Sequence, residues 1–95
     1  MEKRSAVRKR KRFILKMNDK PAVLLDISKT GLKLSAAFVP ASRHVEISIS
    51  YNGKSFHLKG NIRWVRRSLS LQSPKDLGIR IVEASEEYLK FVENI

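Results

Sequence analysis

The chain has 95 residues, no cysteine and two histidines, and 42% of its residues are hydrophobic. This indicates one domain with its own core and excludes disulfides, thiolate nucleophiles and cysteine-based zinc sites. The 20 lysines and arginines outnumber nine acidic residues, so the net charge of +11 favours an anionic partner.

No apolar run approaches the roughly 20 residues that a membrane span needs, and the charged first residues lack the apolar stretch of a signal peptide. We therefore expect a cytoplasmic protein without a membrane span. Nine basic and two acidic side chains lie in residues 1–20, so +7 of the net charge is there. The sequence predicts a flexible basic arm over residues 1–12 and one domain over residues 13–95. Taken alone, such an arm is equally well explained as a solvated tail.

Alternating apolar residues predict the first strand, which ends at the turn residues Asn18 and Asp19. Residues 21–27 are apolar enough for a buried second strand, and Leu32 and Leu34 mark a third. Because apolar residues fall on both faces of the second strand, parity does not settle the register of this hairpin.

Asn52-Gly53 predicts a type I′ hairpin turn, because both residues tolerate positive φ. Pairing outward from this turn places the apolar residues of both strands on one face: Val45, Ile47, Ile49, Phe56 and Leu58. His57 then points outward as an ordinary strand residue. The second strand continues to Trp64, whose parity favours a place in the core or at its rim over base stacking.

The last segment combines a strand with the one predicted helix. Leu77, Ile79 and Ile81 alternate with other residues, Ser85 is a good N-cap, and an apolar stripe predicts a helix over about residues 85–95. About six strands and one helix, without long crossover helices, predict a mainly β fold. We expect a small six-stranded antiparallel β-barrel with a C-terminal α-helix.

Two short patterns carry candidate binding chemistry. Arg4 and Arg8 project to the same side of an extended or helical arm, and a guanidinium fork matches phosphate oxygens or the O6/N7 edge of guanine. Asp26 and Ser28 lie two apart at a strand end and so face the same way, while Gly31 permits a tight turn. The side-chain oxygens of Asp26 and Ser28 can accept hydrogen bonds from the N–H donors of guanine. The second pattern alone is common in turns, but the two together favour a phosphate and guanine ligand.

With these patterns in this order, the sequence resembles the PilZ domain, a family of bacterial receptors for the second messenger cyclic di-GMP. The family pattern is R-x-x-x-R followed by [D/N]-x-S-x-x-G, and it matches Arg4, Arg8, Asp26, Ser28 and Gly31. Further stretches that resemble PilZ members are residues 2–4, 60–64 and 77–79. The resemblance covers essentially the whole chain and implies a six-stranded barrel with a C-terminal helix.

The resemblance also implies the role of each site residue. Arg4 and Arg8 hold phosphates and guanine edges, Asp26 and Ser28 contact guanine or its neighbours, and Gly31 shapes the loop. Lys3, Lys9, Arg10 and Arg12 are candidates for additional ligand contacts, and so is Trp64, although its parity favours packing. No cofactor is implied besides the ligand, of which one molecule or a stacked pair could bind.

A second register of the arginine motif is open, because Arg8 and Arg12 also satisfy R-x-x-x-R. The pair Arg4 and Arg8 is preferred because it leaves residues 9–17 as a first strand of sensible length. This choice puts Lys9 and Lys11 where many PilZ members carry apolar residues.

We therefore expect a cytoplasmic, single-domain receptor that binds cyclic di-GMP, orders its arm and signals to a downstream protein partner. Motility and biofilm regulation are among the outputs usual for the family. One alternative is a nucleic-acid-binding small β-barrel, although its charge pattern needs neither Asp26 nor Ser28 and no specific nucleic acid is expected. The other is a PilZ-fold adaptor that has lost the ligand. An enzyme is disfavoured because no catalytic, phosphate-loop or metal-binding pattern occurs in the sequence.

Overall fold

A computed structural model describes residues 9–66 and 74–95. Their elements are β1 (Lys9–Met17), β2 (Lys20–Ile27), β3 (Gly31–Ala36), β4 (His44–Tyr51), β5 (Lys54–Arg66), β6 (Lys75–Ala84) and α1 (Glu86–Asn94). The strands form a closed antiparallel barrel in the order β1-β2-β3-β6-β5-β4. The six-stranded barrel and the C-terminal helix are confirmed. Of the predicted binding residues, Lys3, Arg4 and Arg8 lie outside the described ranges.

The first strand starts earlier than the predicted boundary between arm and domain. β1 begins at Lys9, so residues 9–12 of the predicted arm form part of the barrel. Lys9 pairs with Ile27, and the register shifts between Arg10 and Phe13. Such a shift accommodates an extra residue in one strand without breaking the sheet. The strand therefore spans residues 9–17. These are the residues expected for the first strand when Arg4 and Arg8 form the arginine motif.

Both two-residue hairpin turns use left-handed backbone. Positive φ values occur at Asn18 (52°), Asp19 (68°), Asn52 (51°) and Gly53 (79°). Around the second turn, Ile49 lies opposite Phe56, as predicted. In the first hairpin, which parity left open, the register directs the side chains of Ala22 and Leu24 inward.

The core lies inside the barrel and is closed by α1. All six strands contribute buried aliphatic side chains, and Tyr88 and Val92 of α1 complete the core. β1 meets β4 through only two residue pairs, Lys16 with Ser48 and Met17 with Ile47. Beyond that point an aromatic cluster links β1, β4, β5 and the helix. The ring centroid of Phe91 lies 4.7 Å from that of Phe56, 5.3 Å from that of Tyr51 and 6.5 Å from that of Phe13.

Trp64 does not point into the core, so the parity-based preference for core packing is wrong. The register of β5 against β6 shifts between Ile62 and Trp64, with two steps on β5 facing one step on β6. This bulge reverses the alternation, so Ile62 is buried and Trp64 is 43% exposed. The indole therefore lies on the outer surface of the barrel.

A helix that crosses a membrane must be long and apolar, and this criterion applies to any helix in residues 9–66 and 74–95. No helix in these ranges is long and apolar enough to cross a bilayer. The one α-helix there, α1, has nine residues.

Gly60 provides a test of the tight packing between β5 and β6. A Cβ at this position would lie 2.6 Å from Ile79 Cγ2 and 2.9 Å from the Arg80 carbonyl oxygen. We expect Gly60→Ala to lower the free energy of unfolding by about 1–3 kcal/mol, because the backbone of β6 has to move. Urea denaturation measures this loss. Gly53→Asn is the control, since Gly53 has open space around it and asparagine tolerates positive φ. Equal losses in both variants would contradict the packing explanation.

Candidate ligand-binding site

The loop between β2 and β3 is built around the side chain of Ser28. Its hydroxyl accepts hydrogen bonds from the backbone N–H groups of Gly31 (3.0 Å) and Thr30 (3.2 Å) and donates to the Gly31 carbonyl (3.1 Å). The Ser28 N–H also donates to the Gly31 carbonyl, at 2.9 Å. A hydroxyl has one donor and two acceptor positions, so the loop uses all three. Ser28 is 2% exposed, so its hydroxyl is enclosed by the loop, and its hydrogen bonds hold the loop in shape. Its direct contact with guanine stays a prediction.

Gly31 shapes the loop in a different way from the one expected. It is buried, begins β3 and lies opposite Arg80 of β6. Its φ is not among the positive values found in the described residues. The turn therefore does not depend on left-handed backbone at Gly31, and the residue takes part through its N–H and carbonyl groups.

Helix α1 holds the loop through Tyr88 and Glu93. The Tyr88 hydroxyl donates to the Ser28 carbonyl at 2.8 Å, and the tyrosine is fully buried. Burial raises the pKa of Tyr88 above its usual value, because deprotonation would leave a charge without solvent. At the surface, Lys29 pairs with Glu93 of the helix. A buried hydrogen bond and an exposed ion pair therefore tie the loop to α1.

Asp26 lies in a row of paired residues that crosses five strands. The β2–β3 register shifts between Leu24 and Asp26 and then pairs Asp26 with Lys33. Lys33 alternates with the buried Leu32 and Leu34, so it and its partner Asp26 face outward. Asp26 is half-buried, whereas Ser28 is enclosed. The two side chains therefore do not face the same way, in contrast to the prediction.

The remaining members of this row continue across the sheet in register. In strand order, the row is Arg10, Asp26, Lys33, Gly78 and Trp64. A Cβ on Gly78 would lie 2.2 Å from indole atoms Cε2 and Nε1 of Trp64. The missing side chain at Gly78 thus lets the indole rest directly on β6, and the row ends in an exposed aromatic surface.

A shallow groove of about 370 Å³ separates the loop from Trp64. Its lining includes Thr30 and Gly31, Arg80 of β6, and Arg63 and Trp64 of β5. The groove combines guanidinium groups with an aromatic face, which suits a planar, negatively charged ligand. Larger cavities of about 540 and 710 Å³ elsewhere on the described surface contain none of the predicted site residues.

The sequence interpretation missed Arg63 and Arg80. Strand parity already indicates that Arg80 points outward between Ile79 and Ile81. No sequence signal places β6 beside β3, however, so the proximity of Arg80 to Gly31 is visible only in the barrel.

The start of β1 lies next to the Ser28 loop. Lys9 and Arg10 lie opposite Ile27 and Asp26, directly before the Ser28 loop. Arg12 is exposed farther along the strand. Arg8 immediately precedes Lys9 in the sequence, so the chain that carries the arginines joins the barrel beside the loop.

Tyr88→Phe tests the attachment of the loop to α1. The variant leaves the buried Ser28 carbonyl without its donor, so we expect a loss of about 1–3 kcal/mol in the free energy of unfolding at neutral pH. An acid whose pKa is higher in the folded state stabilises the fold below its unfolded pKa, here about 10, and this stabilisation declines at higher pH. Above about pH 10, wild-type stability should therefore fall more steeply than that of the variant. Parallel pH profiles in urea denaturation would contradict this role.

One comparison with known proteins identifies the family. The profile of the PilZ domain matches residues 2–95. Neither curated proteins nor solved structures show a significant match. The profile match covers essentially the whole sequence, and the closed six-stranded barrel with its C-terminal helix is the fold that the resemblance implied. PilZ domains are binding domains, in general receptors for cyclic di-GMP. The chain therefore belongs to the PilZ domain family.

Proposed function

We propose that this protein is a bacterial cyclic di-GMP receptor whose basic arm closes over the Ser28 loop and signals to a partner protein. The binding residues are Arg4, Arg8, Asp26, Ser28 and Gly31. The protein performs no chemistry on the ligand. It acts by changing the position of the arm, and a partner protein reads that change.

The register of β1 against β2 is the observation that carries this proposal. Lys9 lies opposite Ile27, one residue before Ser28. Arg8 precedes Lys9 in the sequence, and even a fully extended chain keeps the Cα of Arg4 within about 18 Å of the Cα of Lys9. Both guanidinium groups can therefore reach the loop and the row that contains Asp26.

The charges and rings around the loop match the parts of cyclic di-GMP. The ligand has two phosphates, which the arm arginines and the guanidinium groups of the groove can neutralise. Its guanines offer N–H donors to the Asp26 carboxylate and a flat face to Trp64. The Arg66 guanidinium lies over the Trp64 ring, 6.0 Å from its centroid, in a cation–π contact.

Ser28 and Gly31 serve the site through the backbone of the loop. Their mutual hydrogen bonds fix the path of the chain between Asp26 and the groove. A rigid loop limits the conformational entropy that the protein loses when the ligand binds. Most of the ordering on binding then falls on the arm.

The two arginine registers place the second guanidinium differently. With Arg4 and Arg8, both groups precede β1 in the sequence. With Arg8 and Arg12, the second group is anchored on β1, where Arg12 is exposed. Comparing Arg4→Ala with Arg12→Ala in binding measurements distinguishes them, because the true motif residue should cause the larger loss.

Calorimetric titration with cyclic di-GMP tests the receptor proposal. We expect Arg8→Ala to weaken binding by about a hundredfold or more, because charge-assisted hydrogen bonds to the ligand are lost. Lys54→Ala removes the same charge at the tip of the β4–β5 hairpin and should bind as the wild type does. Trp64 is the only tryptophan, so its fluorescence should change during the titration.

Three results would contradict the proposal. A nucleic-acid-binding barrel would prefer a random oligonucleotide and lose affinity similarly in Arg8→Ala and Lys54→Ala, with strong salt dependence. A ligand-free adaptor would give no heat with cyclic di-GMP. Comparable binding of other cyclic dinucleotides would refute recognition of guanine by Asp26.

A further inference from the structure

Two aliphatic side chains lie exposed and next to each other on the outside of the first hairpin. Ile14 is 66% exposed and Val23 is 36% exposed, and the two residues are directly paired between β1 and β2. The core positions of these strands are already filled by neighbours such as Leu15 and Leu24. The pair therefore adds nothing to the interior of the barrel.

Positive charge surrounds this apolar pair. Arg12 and Lys16 are exposed on β1, two residues before and two residues after Ile14. Lys16 lies opposite Pro21, which is also exposed, next to Val23 on the same face of β2. Residues 9–36, which form β1 to β3, contain eight basic and only two acidic side chains. An apolar centre with a charged rim is the usual anatomy of a protein interface.

We propose that this surface, made of Ile14, Val23, Arg12 and Lys16, docks an acidic protein partner. The partner presents aliphatic side chains flanked by carboxylates, so that the apolar groups meet the Ile14–Val23 pair and the carboxylates meet the cations. This docking surface would be the site where the receptor contacts its partner, and the proposal rests on the receptor function proposed above.

Other occupants fit the surface less well. A second copy of the chain would bring the same cations face to face, which costs free energy. Nucleic acid would satisfy the cations but leave the aliphatic pair against polar phosphate and sugar, and the surface has no stacking aromatic. An anionic membrane would gain little apolar burial from two side chains on a flat sheet, whereas membrane-surface helices insert a whole apolar face.

The position of this surface couples it to the ligand. Ile14 is four residues from Arg10 on β1, and Val23 is three residues from Asp26 on β2, which corresponds to about 10–13 Å along the strands. Cyclic di-GMP and the ordered arm would lie within that distance of a docked acidic segment. Charge on the ligand and on the arm then alters the affinity for the partner, and the partner alters the affinity for the ligand by the same factor.

A short synthetic peptide in which glutamate alternates with isoleucine or valine is the probe. Binding to the full chain is measured by fluorescence anisotropy and mapped by amide NMR. We expect the shift changes to centre on residues 12–16 and 21–25. Ile14→Glu should weaken binding about tenfold or more, because the new carboxylate is desolvated and faces like charges. Val82→Glu is the matched control, since Val82 is 62% exposed on β6.

Further measurements separate the outcomes. A peptide with serine at the apolar positions should bind much more weakly, and equal binding would reduce the surface to non-specific charge attraction. Preference for anionic phosphatidylglycerol vesicles, or dimerisation of the wild type in light scattering, would overturn the proposal in favour of those occupants. Equal losses in Ile14→Glu and Val82→Glu would also overturn it.

Titration with cyclic di-GMP separates the docking surface from the receptor function. Ile14→Glu should retain ligand binding, which also shows that the variant is folded. In the wild type, peptide affinity should differ between ligand-free and ligand-saturated protein. If the peptide binds as expected but cyclic di-GMP does not, the docking surface stands and the receptor function fails. If the peptide affinity is the same in both states, the proposed coupling is wrong.

Discussion

The hydrogen bonds of Ser28 fix the geometry on which the candidate site depends. Its hydroxyl closes the β2–β3 loop onto Gly31, and its carbonyl is held by the buried hydroxyl of Tyr88. Because these groups lie out of water, breaking one of them leaves a polar atom without a partner. The loop is therefore held in one conformation between the barrel and α1, and the outer face beside it becomes a stable platform.

Register shifts in the strands decide which side chains reach that platform. Simple alternation from Leu24 would direct Asp26 into the core, and alternation from Ile62 would do the same for Trp64. A shift next to each residue turns it outward while its neighbours stay packed. Bulges commonly re-aim side chains at functional sites, and here two of them direct a carboxylate and an indole to one face.

The first hairpin unites the two proposed activities. One end of its outer face contains Asp26, close to where β1 begins at Lys9, and its middle carries the exposed aliphatic pair at Ile14. Both proposed surfaces lie beside basic residues of β1, so the proposed ligand and the proposed partner would act within one electrostatic environment. The barrel itself need not change shape for this coupling, since charge and the order of the arm are sufficient.

Local patterns in the sequence determined the fold class, the Asn52-Gly53 hairpin and its register, the N-cap of the last helix and the R-x-x-x-R and D-x-S-x-x-G motifs. Each of these depends on residues close together in the chain, such as a turn that requires positive φ or a strand with period two. The tertiary structure decided the outward direction of Asp26 and Trp64, the enclosed position of Ser28, and the approach of Arg80 to Gly31. These features depend on bulges and on contacts between distant strands and α1, because the pairing of β3 with β6 and the Tyr88–Ser28 hydrogen bond arise only when the barrel closes.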